Sequence, residues 1–200
     1  MTNPWWNEVA ARLETPPPTR LKPKKRDVRP AAVLVPLYVE NRELWTILTR
    51  RTDQLPTHKG QIAFPGGARE LGEGPWDAAL REAHEEIGLL KQVVLPLGTL
   101  DECETPAGFR VVPCVGVVPA GFEPTLDAGE IAEVFSLPLS ALSNPSLVED
   151  RRVRIDGLER SLRIYHVGRH QIWGLTARIL QNLLLRLGLD GDDPEASPPV

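Results

Sequence analysis

Three glutamates, Glu82, Glu85 and Glu86, lie close together in the segment DAALREAHEEIG. If the segment is a helix from about Asp77 to Ile87, they lie at i, i+3 and i+4, within a sector of about 100°. Like charges at this spacing repel by roughly a few tenths of a kcal/mol per pair. Mg²⁺ and Mn²⁺ prefer carboxylate and water oxygens, so either cation would turn the repulsion into attraction. The spacing fits a metal site, but these residues alone favour a solvated acidic helix face, because glutamate is a good helix former.

The same segment has the other features of a packed helix. Pro75 suits the first turn, and Gly88 suits the residue that follows the last turn. Arg81 lies one turn before Glu85 and can orient its carboxylate, while Glu73 can approach Arg81 from the preceding loop. A core-facing side is predicted from apolar residues at helical spacing. These residues are Trp76, Leu80, Ala83 and Ile87.

The loop before the helix, GQIAFPGGARELGEG, contains the adjacent glycines Gly66 and Gly67. Such pairs allow close backbone approach and leave carbonyl oxygens open to a ligand or metal. No Gly-Lys-Ser/Thr follows, so the loop is not a phosphate-binding P-loop. Alone, the glycine pair predicts no more than a tight turn.

Composition places these segments in an ordinary globular protein. The chain has 200 residues, 42% of them hydrophobic, and a net charge of −4, which argues against a general nucleic-acid binder. No apolar run approaches the roughly 20 residues of a membrane helix, and the N-terminus lacks the pattern of a secretory signal. Cys103 and Cys114 form no disulfide framework, and Cys114 is expected in the core. We expect a reduced, cytoplasmic protein that binds a small molecule and neither nucleic acid nor a membrane; the sequence carries no sign of its oligomeric state.

The chain is predicted to have three parts. Residues 1–29 hold a short amphipathic helix from Trp5 to Leu13 and a basic, proline-bearing linker. Residues 30–188 form the compact domain, and residues 189–200 form a disordered acidic tail.

Within the compact domain, extended segments alternate with about three helices, which predicts an α/β (α+β) fold. The last helix is predicted from Gly174 to Leu187, with Ala177, Leu180, Leu184 and Leu187 on the core. Two strands, 31–39 and 44–51, are predicted with a turn near Asn41 and Arg42, and further strands at 93–102 and 109–118. Residues 133–142 are predicted to be a strand that enters a short helix. Residues 152–167 are predicted to form a hairpin around Asp156-Gly157.

Residues 67–89, GARELGEGPWDAALREAHEEIGL, resemble the Nudix box, Gly-x5-Glu-x7-Arg-Glu-U-x-Glu-Glu-x-Gly-U, where U is a bulky apolar residue. Ala83 is the one soft departure, because a bulkier residue is usual there. The resemblance implies an α/β/α sandwich with a mixed central sheet, which hydrolyses a nucleoside diphosphate linked to another group. The matching residues are Gly67, Glu73, Arg81, Glu82, Glu85, Glu86, Gly88 and Leu89.

The resemblance also implies residue roles. Glu82, Glu85 and Glu86 would bind Mg²⁺ or Mn²⁺, with the carbonyl of Gly66 as a further ligand. Arg81 and Glu73 would orient these ligands.

A metal-bound water would then attack one phosphorus of the diphosphate in line, and a carboxylate would take its proton. Four glutamates remain open as that base: Glu85 and Glu86 on the helix, or Glu130 and Glu133 in the segment DAGEIAEVF.

The upstream segment ILTRRTDQLPTHKGQIAFPGG, residues 47–67, is similar to the extra motif of coenzyme A pyrophosphatases within the Nudix family. Pro56 departs from that motif, which has arginine there, so one phosphate contact is in doubt. Thr105, Gly108 and Phe109 resemble a further element of the subgroup, and His170–Leu180 resembles its C-terminal helix. The matching residues upstream are Leu48, Thr49, Arg51, Gly60, Phe64, Pro65, Gly66 and Gly67.

Coenzyme A carries a pyrophosphate and a 3′-phosphate, so its pocket needs cationic groups. Arg50, Arg51, Lys59 and Arg69 flank the predicted site, with ordinary surface charge as the alternative for each. The products would be 3′,5′-ADP and 4′-phosphopantetheine. ADP-ribose, NADH or a nucleoside triphosphate are alternative substrates. A Nudix module that binds a nucleotide without cleaving it is a remote alternative, because such modules usually lose box glutamates.

Overall fold

The computed structural model of the chain describes residues 4–22, 28–54, 59–155 and 158–190. Several predicted features lie outside these ranges. They are Pro56, the Asp156-Gly157 turn, the middle of the basic linker and residues 191–200 of the tail.

The centre of the fold is a hairpin of two buried strands. β1 (Arg29–Glu40) and β2 (Glu43–Arg51) pair antiparallel, with Tyr38 opposite Trp45. Asn41 and Arg42 both have positive φ, 52° and 63°, as a two-residue hairpin loop requires. Both strands and their turn are as predicted.

Around this hairpin, the described residues form a mixed eight-stranded sheet. β7 (Phe109–Val117) runs parallel to β1, whereas the other pairs in the sheet are antiparallel. The loop predicted before the helix contains two short strands that the sequence did not indicate, because glycine has low strand propensity. The remaining strands are β3 (Ile62–Ala63), β4 (Gly66–Ala68), β5 (Leu95–Thr99), β6 (Cys103–Glu104) and β8 (Ile131–Pro138).

A second sheet contains the predicted C-terminal hairpin. β9 (Val148–Ile155) and β10 (Leu158–Val167) pair antiparallel, and β11 (His170–Ile172) adds a third strand to β10. The resemblance of His170–Leu180 to a C-terminal helix is therefore wrong for its first residues. Gly168, with φ of 57°, reverses the chain there, so His170 begins a strand.

Helices cover both faces of the mixed sheet, which confirms the α/β/α sandwich. α2 (Pro75–Ile87) packs on one face, while α1 (Pro4–Glu14) and α4 (Gly174–Leu187) pack on the other with the short α3 (Leu139–Leu142). The predicted bounds and buried face of α4 are confirmed. Every helix among the described residues is too short or too polar to cross a bilayer.

The two cysteines are free and buried. Cys114 has no exposed surface, as predicted for a core residue. Burial raises the pKa of its thiol to about 12 and also raises the pKa of Cys103, so neither thiol forms a reactive thiolate at neutral pH.

Arg186 of α4, which is buried, pairs with the partly exposed Asp101 and also contacts the N-terminal segment. Arg186 donates to Asp101 at 2.7 Å and to the carbonyls of Leu13 and Pro16 at 2.8 and 2.6 Å. The Asp101 carboxylate also accepts from the backbone N–H of Thr19 at 2.6 Å. The Arg186 side chain is only 6% exposed, so loss of its partner would leave a buried charge unpaired.

We expect Asp101→Asn to lower the free energy of unfolding by about 3 kcal/mol at pH 7. Burial raises the pKa of Asp101, but the Thr19 amide and Arg186 outweigh this and lower the pKa below its ordinary value. A lowered carboxyl pKa stabilises the fold above the unfolded value, and this contribution is lost as pH falls through the folded value. The difference between wild type and variant should therefore shrink in urea titrations at pH 3.

Asp150→Asn is the matched control. Asp150 pairs with Arg163 at 2.7 Å, but both side chains are 31% exposed or more. Surface pairs contribute about 0–1 kcal/mol, so this variant should be nearly neutral. Equal losses in the two variants would contradict the role of Asp101.

Candidate active site

The helix α2 has well-defined ends. Pro75 occupies its first turn, so it begins two residues before the predicted Asp77. Gly88 has φ of 72° and donates to the carbonyl of His84, while Leu89 donates to that of Ala83. This left-handed glycine closes the last turn and directs the chain away from the helix axis.

The predicted core face of α2 is confirmed, and it is wider than predicted. Ala83 and Ile87 are buried, while Trp76 and Leu80 are partly buried and pack against the same cluster, which also contains Ala78 and Ala79. Small residues let the helix approach β1 and β4 closely, which also buries Glu86 to 4% exposure. Glu86 is therefore buried, although the helical spacing places it on the acidic side with Glu82 and Glu85. The buried residues are Ala78, Ala79, Ala83, Glu86 and Ile87.

The Glu86 carboxylate has two partners. The backbone N–H of Gly66 donates to Oε2 at 3.2 Å, and Arg51 Nη1 donates to Oε1 at 3.3 Å. Burial raises the pKa of Glu86 to about 8, although Arg51 and the Gly66 amide act to lower it. Arg51 and the Gly66 amide therefore do not offset the cost of burying a negative charge on Glu86, and a bound cation would supply the missing positive charge.

Arg51 bridges α2 to the loop acid Glu130. Its Nη2 donates to Glu130 Oε2 at 3.3 Å while Nη1 contacts Glu86. The loop is held against the end of α2 because Thr125 and Asp127 donate to the carbonyls of Ile87 and Glu86 at 3.0 and 3.1 Å. Glu130 is thus placed beside the carboxylates of the helix.

Arg81 connects four acceptors on the other side of the site. Nε donates to Glu73 at 2.9 Å, and Nη1 donates to Glu82 and Glu85, each at 3.0 Å. Nη2 donates to the carbonyl of Ala68 at 3.0 Å. These ion pairs raise the pKa of Arg81 and, with the Glu70 amide, lower that of Glu73. The predicted contacts of Arg81 with Glu85 and Glu73 are present.

Gly66 and Gly67 have different constraints. A Cβ on Gly67 would lie 2.6 Å from the Glu82 carboxyl carbon, so Gly67 makes room for that carboxylate. A Cβ on Gly66 would lie 2.5 Å from Val33 Cα, because β4 pairs closely with β1 there.

The three carboxylates are not gathered as the sequence predicts. Glu82 and Glu85 share Arg81, whereas Glu86 faces Arg51, and the described residues hold no group of three potential ligands in metal-binding geometry. Repulsion between like charges keeps each carboxylate with an arginine. The donor set still fits a hard divalent cation, because burial raises the pKa of both Glu82 and Glu86.

The other predicted residues contact different parts of the fold around this cluster. Arg69 donates to the carbonyl of Glu73 through Nε at 2.8 Å and through Nη2, and Lys59 is exposed. Arg50 and the alternative base Glu133 pair with each other at 3.6 Å. Arg50 shares the side of β2 that carries Leu48 and faces α4, so this pair lies across β2 from Glu86.

Comparison with known proteins decides the family. A model described as the NUDIX domain matches residues 28–156. Two bacterial proteins named "Uncharacterized Nudix hydrolase NudL" match most of the chain. The one from Enterobacter sp. (strain 638) is 36% identical, covering 84% of this chain and 90% of that protein, and the one from Photorhabdus laumondii is 37% identical, covering 84% and 88%.

The chain belongs to the Nudix family. It is a Nudix hydrolase, which acts on a nucleoside diphosphate linked to another group, and enzymes of this family generally need divalent metal ions. Its partner is accordingly a small-molecule nucleotide.

Solved Nudix structures share the fold. A MutT/nudix family protein from Enterococcus faecalis superposes with a TM-score of 0.53 at 17% identity, covering 86% of this chain and 69% of that one. RenU, a Nudix hydrolase from M. smegmatis, gives 0.50 at 22% identity, covering 57% and 73%. At these identities the likeness concerns the fold alone.

Two alanine variants in the Nudix box region should separate folding from metal binding. Gly66→Ala should lower the free energy of unfolding by about 1–3 kcal/mol, because its methyl group meets the backbone of β1. Gly67→Ala should leave stability nearly unchanged and weaken Mn²⁺ binding about 10-fold, because its methyl group displaces only the Glu82 carboxylate. Urea unfolding and Mn²⁺ titration measure the two effects.

Gly121→Ala is the control, since a Cβ there meets nothing within 4 Å. It should leave both quantities unchanged. If Gly67→Ala lost stability but kept Mn²⁺ affinity, the assignment of Glu82 as a metal ligand would be wrong.

Proposed function

We propose that this Nudix hydrolase cleaves the diphosphate of coenzyme A or a derivative, releasing 3′,5′-ADP and 4′-phosphopantetheine. One observation carries the proposal: Arg51, from the segment that resembles the coenzyme A motif, contacts Glu86 of the Nudix helix at 3.3 Å. The two segments meet at one site, as a shared substrate requires.

A second segment supports the same proposal. Phe109 pairs with Arg29 at the start of β1, two residues before β4 pairs with Ala31. The guanidinium of Arg29 lies 4.1 Å from the centre of the Phe109 ring, and Thr105 Oγ1 accepts from the Phe109 N–H at 3.1 Å. The Thr105–Phe109 segment therefore leads into β7, which lies across β1 from β4 and Gly66.

In the proposed mechanism, Glu82, Glu85 and Glu86 would hold Mg²⁺ or Mn²⁺. The cation, when bound, supplies charge neutralisation and a more acidic water. Arg81 holds the carboxylates of Glu82 and Glu85, and the amide of Gly66 holds that of Glu86. The carbonyl of Gly66 stays a proposed further ligand.

The reaction forms one bond from a water oxygen to phosphorus and breaks the bond from that phosphorus to the bridging oxygen. Glu85, Glu86 or Glu130 takes the proton from water. Glu130 is the favoured loop acid, because it lies beside Arg51 and Glu86 whereas Glu133 lies across β2.

A substrate panel tests the proposal. The purified protein is incubated with Mg²⁺ or Mn²⁺ and with coenzyme A, its disulfide, an acyl derivative, ADP-ribose, NADH or a nucleoside triphosphate, and products are identified by mass spectrometry. We expect the highest kcat/KM for a coenzyme A compound. Faster cleavage of ADP-ribose or NADH would replace the proposed substrate but keep the reaction, and tight nucleotide binding without products would indicate a non-catalytic module.

A further inference from the structure

A pocket of about 380 Å³ opens beside the end of β2, lined by Arg50, Ala132, Glu133, Arg169 and His170. It lies across the sheet from α2, because Arg50 shares the side of β2 on which Leu48 packs in the core cluster beneath α4, whereas Ile47 packs in the cluster beneath α2. β8 supplies Glu133, the Cα partner of Arg50, and β11 supplies His170.

The pocket contains three basic side chains around one acid. Glu133 accepts from Arg169 at 2.6 Å and lies 3.4 Å from His170 Nε2 and 3.6 Å from Arg50 Nε. The imidazole of His170 is fixed by stacking on Phe135, with ring centres 4.1 Å apart and planes at 13°. The contacts of Glu133 show that N–H donors converge in this pocket, and an anionic group of a ligand could use the same donors.

The charge balance leaves donor capacity for such an anion. Burial raises the pKa of Glu133, but Arg169, His170 and Arg50 outweigh this and lower it, so the group is an ionised carboxylate. Two carboxylates, Glu133 and the exposed Asp53 that accepts from Arg50 at 3.4 Å, cannot use every donor of the two guanidinium groups, each of which has five N–H bonds. The Arg169 side chain is 77% exposed, so it can turn towards a ligand.

The pocket is adjacent to the Nudix site along the chain. Arg50 and Arg51 are consecutive, with Cα atoms about 3.8 Å apart, and they serve the pocket and the site respectively. On the segment that includes the start of β8, Glu130 pairs with Arg51 at the Nudix site and Glu133 pairs with Arg50 at the pocket. One substrate can reach both places if it carries an anionic group apart from its diphosphate.

We propose that Arg50, Arg169 and His170 form a second anion site, which receives a phosphomonoester that the substrate carries away from the bond being cleaved. The inference rests on the proposed function and deepens it, because it makes the additional phosphate a determinant of specificity. The bound phosphate shares the guanidinium donors with Glu133. ADP-ribose and NADH lack such a group and gain nothing from the pocket.

The kinetic test compares coenzyme A with 3′-dephospho-coenzyme A, which differ only in that phosphomonoester. We expect wild type to prefer coenzyme A in kcat/KM, and Arg169→Gln to reduce this ratio about 10-fold or more. Arg151→Gln is the control: Arg151 is 58% exposed on β9 and pairs with Glu149. Its ratio should equal that of wild type.

A binding test separates failure of the pocket from failure of the proposed function. Adenosine 3′,5′-bisphosphate and AMP are titrated calorimetrically into wild type, Arg169→Gln and His170→Gln. A wild-type preference for the bisphosphate that both variants lose would support the pocket, even if coenzyme A is not cleaved. An unchanged preference in both variants, or none in wild type, would overturn the second anion site whatever the enzyme hydrolyses.

Discussion

Glu86→Gln is expected to lower kcat by about 10²–10⁴-fold on any substrate the enzyme cleaves. Glutamine has nearly the same shape but cannot supply the negative charge that a cation needs. Because Glu86 is 4% exposed and its pKa is raised to about 8 by burial, the neutral side chain should not destabilise the fold. Steady-state kinetics, Mn²⁺ titration and thermal unfolding measure the three quantities.

Glu123→Gln is the matched control, since it makes the same change of charge at an exposed position in the loop after β7. It should leave kcat and the unfolding temperature unchanged. Near-wild-type turnover of a folded Glu86→Gln variant would remove this glutamate from the metal site and from the list of possible bases.

Arg81→Lys should also inactivate the enzyme, although the charge is retained. A single ammonium cannot reproduce donors to Glu73, Glu82, Glu85 and the Ala68 carbonyl, which the planar guanidinium reaches together. We expect metal affinity to fall about 10–100-fold, because two of these acceptors are proposed ligands. The free energy of unfolding should fall by about 1–3 kcal/mol, since Glu73 is largely buried.

Arg151→Lys serves as the control, because Arg151 lies on the exposed face of β9. Both metal affinity and stability should stay at wild-type values there. If Arg81→Lys kept full Mn²⁺ affinity, Arg81 would be a structural residue and not an orienting one.

Local signals in the sequence were sufficient for most elements. For α2, the predicted start at Asp77 lies two residues after the observed start at Pro75, and Gly88 follows the last helical residue as predicted. For α4, the periodic apolar residues predict the observed bounds. The β1–β2 turn followed from the position of Asn41 and Arg42 between two apolar segments, and of the two only Asn41 is a residue type enriched at positive φ. Each signal lies within the element that it predicts, so no knowledge of tertiary contacts was needed.

The site could be predicted only in part, because its details depend on contacts between distant segments. A helical wheel places Glu86 with Glu82 and Glu85, but the close approach of β4 covers it and supplies the amide of Gly66. Arg51 was expected to meet substrate, yet in the structure it neutralises Glu86 and Glu130, and its substrate contact stays a prediction.

The sequence before Arg169 and His170 contains a signal for a chain reversal. Gly168 separates two extended segments, HV and HQI, and such a spacing indicates a tight reversal. A hairpin there would have returned His170 towards the body of the domain. The partners of that hairpin, Arg50 and Glu133, still required the pairing of β2 with β8, which the sequence alone does not specify.

The side-by-side packing of α1 and α4 has a consequence for synthesis on the ribosome. Arg12 donates to the carbonyl of Leu187 at 2.7 Å, a contact across 175 positions, and Val9 and Leu13 are buried in the same cluster as Leu184. The α1 segment thus lacks part of its packing surface until α4 has emerged. Such distant contacts slow folding, so nascent chains that stop before α4 should expose apolar surface to chaperones and proteases.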